Sequence, residues 1–162
     1  AKKPGKYVIK VKVGAKTLNC RVTVKQTVEL SKHFGSYAKF KKAVGYMRQA
    51  TAKEEPGVYT GTLYFGRGAD ASNGNFFIRT DKPGGKVRVL QNITKKQFYL
   101  YGVRIGDSSS KSRSTLVKKG FKLKKTNRYP DKVTYIYQRG SSQVTLCISK
   151  NKVAWYQWNR LV

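Results

Sequence analysis

The chain has 162 residues, 39% of them hydrophobic, enough for one ordinary domain or two small ones, which excludes disorder as a global state. Thirty-five lysines and arginines stand against seven acids, a net charge of +28. The surface is therefore nearly all of one sign, and its natural partners are polyanions such as nucleic acid, teichoic acid, acidic glycan or anionic lipid headgroups.

No apolar run reaches the roughly 18 residues of a membrane-spanning helix, and no charged-then-apolar leader opens the chain. The opening "AKKPGKYVIKVKVG" reads as the middle of a longer protein. Tyr7, Ile9, Val11 and Val13 alternate, as do Leu18, Cys20, Val22 and Val24, with Gly14, Ala15 and Lys16 as a hairpin link. An isolated hairpin is marginal in water, so this one must lean on something. Cys20 and Cys147 both fall in alternating strand patterns as small hydrophobes, and their spacing suits neither a disulfide framework nor a zinc site.

The stretch "KPGKYVIKVKVGAKTLNCRVTVK" resembles the closing two strands of the bacterial immunoglobulin-like domain, group 2, which occurs in tandem on Gram-positive surface proteins. That resemblance places Tyr7 and Cys20 at core positions and implies that residues 1–26 are the end of a truncated sandwich. Its inner face would have to be covered by the remaining chain or by a neighbour. Each large apolar side chain left in water forgoes roughly 1.5–3 kcal/mol of burial.

After Gln26, "ELSKHFGSYAKFKKAVGYMRQA" carries Tyr37, Phe40, Val44 and Met47 at helical spacing, with Gly45 placed to end the helix early. Strand patterns follow at 57–66, 75–80 and 86–93, separated by turn formers. The order then restarts. Asp107 or Ser108 can cap a helix running to Lys119, Gly120 ends it, and strands follow at 132–138, 143–149 and 152–158. Phe34-Gly35 matches Ile105-Gly106, Gly45 matches Gly120, and Tyr46 matches Phe121. The fold expected is α+β: antiparallel sheet with helices on one face, in tandem α-β-β-β repeats over 27–100 and 101–162.

The restart, "YGVRIGDSSSK", lacks the glycine spacing of a phosphate-binding loop. It reads as a helix entrance in which Gly102 turns the chain, Ile105 enters the core, Gly106 admits close packing and Asp107-Ser108 caps. With its continuation it resembles a module of Gram-positive surface proteins that opens "YGVxIGxS" and closes "LxxxGF". More distantly, it is similar to the helix-on-sheet repeats of the beta-lactamase inhibitor protein and of outer-membrane assembly lipoproteins of the SmpA/OmlA type. Tyr101, Gly102, Ile105, Gly106, Ser108, Leu116, Gly120 and Phe121 carry the match. Ser112 and Thr115 stand where that pattern has apolar residues, which predicts loose helix packing there. In the first copy only Gly35, Phe40, Val44 and Gly45 correspond. The resemblance implies one sheet with helices on one face, acting by binding, without a shared catalytic constellation.

The residues themselves point the same way. His33 has no cysteine or carboxylate neighbour in sequence that would build a triad or ligand set. Glu54 and Glu55 adjoin in a loop, and Asp70, Asp81, Asp107 and Asp131 fall at turns or caps, leaving no carboxylate pair. No catalytic, cofactor or metal site is expected. What the chain has in quantity is tyrosine, 11 residues, with 2 tryptophans and 7 phenylalanines interleaved with cations. Lys118, Lys119, Lys122, Lys124, Lys125 and Arg128 cluster near the end of the second helix, where they complement its dipole and can meet phosphates through diffuse charge. In the last strand either Trp155 or the pair Tyr156 and Trp158 reaches the open face, since a bulge would exchange them.

The expected function is a non-catalytic binding or adhesion segment, secreted or attached to the cell wall, whose partner is an anionic wall polymer, a glycan or a protein. The rival is an intracellular nucleic-acid binder, which no helix-turn-helix, zinc pattern or RNP-like motif supports.

Overall fold

The structure, a computed structural model, describes residues 5–24, 26–54 and 61–161. Alternation at the start produces an antiparallel hairpin of β1 (Gly5–Val13) and β2 (Lys16–Val24). Its register sets Tyr7 opposite Val22, Ile9 opposite Cys20 and Val11 opposite Leu18, so one face is an apolar row. That row stays in water: Ile9 is 52% and Leu18 59% exposed, and among the described residues the remaining chain leaves it open.

The rest builds one α+β unit. β3 (Val28–Glu29) leads into a 3-10 turn (Leu30–His33) and α1 (Tyr37–Val44). There follow β4 (Met47–Gln49), β5 (Thr62–Gly66), β6 (Phe76–Thr80), β7 (Val87–Asn92) and the short β8 (Phe98–Tyr99), which pairs in parallel with β3. α2 (Ser109–Lys118) then precedes β9 (Lys122–Arg128), β10 (Val133–Arg139), β11 (Ser142–Ser149) and β12 (Lys152–Arg160). Eight strands form one antiparallel sheet in the order β4-β5-β6-β7-β12-β11-β10-β9. Two four-stranded meanders, each preceded by a helix, thus meet where β7 pairs with β12.

Several expectations need correction. The first helix stops at Val44, its last turn closed by the Gly45 N–H donating to the Lys41 carbonyl, and Met47 is buried from β4 instead. Each meander has four strands where three were expected. The missed ones, β4 and β9, are the two outer edges of the sheet. β4 is only three residues long, and β9 reads "KLKKTNR" because an edge strand faces solvent on both sides and needs no apolar alternation. The strand expected at 57–66 is described from Thr62; residues 57–60 and Glu55 lie outside the described residues.

Helices and sheet share one core. Phe34 stacks on Trp158 with centroids 3.9 Å apart, Tyr37 on Tyr64 at 4.0 Å, and Phe40 lies 6.4 Å from Phe76. From α2, Leu116 is fully buried and Ser112 nearly so, its hydroxyl donating to the Ser108 carbonyl at 2.9 Å. Packing at Ser112 is close rather than loose, because a small side chain that satisfies itself within the helix lets α2 approach the sheet. Ser108 is the cap; its hydroxyl accepts the Lys111 N–H, while Asp107 turns its carboxylate to Arg104 and Lys111.

The entrance to α2 exchanges the roles of two glycines. Tyr101 and Gly102 both have positive φ, in a tight turn that bridges Leu100 and Val103, and a Cβ on Gly102 would stand 3.2 Å from the Thr115 methyl. Close packing therefore belongs to Gly102. Gly106 has open space where a Cβ would lie and is required for its φ of +89°.

Candidate polyanion-binding surface

Both helices cover the same face of the sheet: Phe40 packs toward Phe76 of β6, and Arg113 of α2 reaches Tyr135 and Tyr137 of β10. Residues directly opposite one another in antiparallel strands share a face, so pairing alone maps the other side. One row crosses all eight strands as Arg48, Phe65, Phe77, Gln91, Gln157, Thr145, Ile136 and Lys125. A second runs Leu63, Arg79, Val89, Asn159, Gln143, Gln138 and Lys122. A third contains Trp155, Cys147, Thr134 and Asn127.

This face changes character from one edge to the other. At the β4 edge it is closed: Arg48 lies over the Phe65 ring at 5.2 Å and is held there by both oxygens of Glu54, at 2.8 and 2.6 Å. Those bonds, with the Thr51 N–H, pull the Glu54 carboxyl down to about 2. Toward the middle the face becomes a band of half-exposed amides. Gln157 donates to Asn159 at 2.9 Å and Gln91 to the Gly74 carbonyl at 3.0 Å. At the far edge it is cationic.

The six expected cations do not share that face: Arg128, opposite Val133, lies on the helix side of the sheet, and Lys122 and Lys125 lie on the open side. Only Lys118 and Lys119 sit at the end of α2; Lys122, Lys124, Lys125 and Arg128 belong to β9 and are exposed along a free strand edge. Lys122 and Lys125 turn toward the open face opposite Gln138 and Ile136, and a bulge between them leaves Lys124 outside the register. Gly120, Lys122, Lys124 and Arg139 help line a shallow hollow of about 270 Å³. Among the described residues no carboxylate is within ion-pair distance of any of the six. Two neighbouring arginines have structural partners: Arg139 donates to the Lys119 carbonyl at 2.7 Å and stacks over Phe121, and Arg113 stacks over Tyr135.

Parity in β12 resolves the aromatic alternatives. Trp155 lies half-buried on the open face above Cys147, whose thiol burial pushes up. Tyr156 is 0% and Trp158 3% exposed on the helix side, so neither can touch a partner. A bulge does occur, at Ala154, but it precedes all three residues and exchanges none of them. Tyr156 is fixed by its phenol, which accepts from Asn92 at 2.7 Å and donates to the Phe98 carbonyl at 3.0 Å, and burial holds that phenol well above its ordinary range.

Sequence reasoning missed the amides. Their signal is the polar position between core residues, as at Gln157 between Tyr156 and Trp158, which carries neither charge nor aromaticity. It also missed Glu29, whose carboxylate accepts the Tyr101 and Gly102 N–H groups at 2.8 Å each and so ties the start of the first half to the start of the second. Among the described residues no three His, Cys, Asp or Glu side chains gather as a metal set, and no helix is long and apolar enough to cross a membrane. Compared with known proteins, the chain matches no family model, no curated protein and no solved structure.

Proposed function

We propose that this is a non-catalytic binding module of a secreted or wall-associated protein, and that it holds an anionic wall polymer or glycan across the open sheet face and the β9 edge. One observation carries the reading: rows of part-exposed Gln, Asn and Thr side chains run into lysines that, among the described residues, no carboxylate opposes. Amides suit hydroxyl-rich chains, a half-exposed indole at Trp155 can stack on a sugar face, and diffuse lysine charge suits phosphates or carboxylates. A protein ligand would use the same face through the same amides.

Two structural proposals accompany it. The symmetric strand order, with each helix-led meander ending at the central β7 and β12 pair, supports an internal duplication over 27–100 and 101–162. The exposed apolar row of the β1 and β2 hairpin supports its being the closing pair of an immunoglobulin-like sandwich.

The test is retention on purified wall and teichoic acid against random-sequence DNA, over a salt series. Retention on wall that falls about tenfold in Lys122→Glu/Lys125→Glu, and further in Trp155→Ala, supports the reading. Tight DNA binding with no wall retention would reverse it in favour of a nucleic-acid binder.

A further inference from the structure

A groove of about 790 Å³ opens in the helix layer between β3, the 3-10 turn and α1. Its wall carries Lys32 from the 3-10 turn and Lys39 and Lys42 from α1, the last two three residues apart and therefore on one helix face. All three are exposed, and among the described residues none is in an ion pair. The acid in the lining, Glu29, is already committed: Oε1 accepts from the Ser31 N–H and hydroxyl and from the Tyr101 N–H, and Oε2 accepts from the Gly102 N–H. Three ammonium groups therefore face one concavity against a single carboxylate that none of them pairs with, and the net positive lining focuses positive potential into it.

The chemistry narrows the ligand. Lysines are compact, hydrated point charges that suit phosphate oxygens without demanding the planar fork of a guanidinium. Two rings are in the lining, Tyr99, which has Arg104 over it at 5.5 Å, and the single imidazole of His33, so the groove has no row of aromatic platforms for successive bases. We propose that this groove is a second binding site that takes a flexible, base-free chain of phosphate groups. It stands apart from the open sheet face, so its occupancy can be read separately from the first reading.

The experiment titrates the full chain with tripolyphosphate by calorimetry, using three charge-altered forms. In the first, Lys32, Lys39 and Lys42 are all changed to Gln. In the second, Lys10, Lys12 and Lys16 on the hairpin are changed to Gln, removing the same charge from elsewhere. The third is Lys122→Gln/Lys125→Gln. The expected result is an affinity loss of about tenfold in the groove variant and less than about twofold in the hairpin variant. Equal losses in the groove and hairpin variants would mean diffuse attraction and overturn the proposal. A loss confined to the β9 variant would also overturn it while leaving the sheet-face reading intact. Stronger dependence on the groove lysines for single-stranded DNA than for tripolyphosphate would make the site one for nucleic acid and likewise reject the proposal.

Discussion

At the scale of single residues, seven acids cannot balance 35 lysines and arginines, and several of those few also hold backbone N–H groups. Glu29 clamps the positive-φ turn at Tyr101 and Gly102, Asp70 accepts the Ser72 and Asn73 N–H groups, and Asp81 accepts the Lys86 N–H. Glu29→Gln would put an amide N–H2 against donors that now meet a carboxylate, at a cost of about 1–3 kcal/mol read from the denaturation midpoint. An unchanged midpoint would show that the clamp contributes nothing. Glu54 gives a pH dependence of known sign. Its folded value near 2 lies below the ordinary 4.5, so the stability it adds is complete above about pH 4.5 and disappears as pH falls toward 2. Glu54→Gln should remove that part of the acid limb, and a superimposable limb would assign it to other groups.

Among elements, the edges decide what a sequence can reveal. Interior strands such as β11 announced themselves through Val144, Leu146 and Ile148 at alternate positions, and the helix ends were marked by Gly45 and Gly120. β9 was read as a cationic helix terminus because its residues answer to solvent rather than to a core. The open face was half legible: alternation fixed which residues share a side, but only pairing shows that Gln91, Gln157 and Thr145 line up in one row. Lysines on β9 also guard the sheet, since a free strand edge invites pairing with another chain. Lys122→Val/Lys125→Val should therefore yield a protein that associates with rising concentration, as measured by sedimentation. A strictly monomeric variant would show that Lys122 and Lys125 are not what protects the edge.

On the scale of the whole molecule, burial is unevenly distributed. The eight-stranded sheet and its helices hold the contiguous core from Val28 to Trp158, whereas the β1 and β2 hairpin contributes none of it and leaves Ile9, Val11 and Leu18 in water. Each of those side chains gives up roughly 1.5–3 kcal/mol that a packed neighbour would supply, so the hairpin adds little to the stability of the sheet. Removing residues 1–26 should then leave the unfolding midpoint of the remainder nearly unchanged while reducing its tendency to associate through the apolar row. Calorimetry on the truncated and full chains distinguishes the cases: coincident transitions mean the hairpin is an appendage to the sheet. A drop of more than about 4 °C would mean it stabilises the sheet by contacts that its exposure does not reveal, and its row would no longer be available to a partner domain.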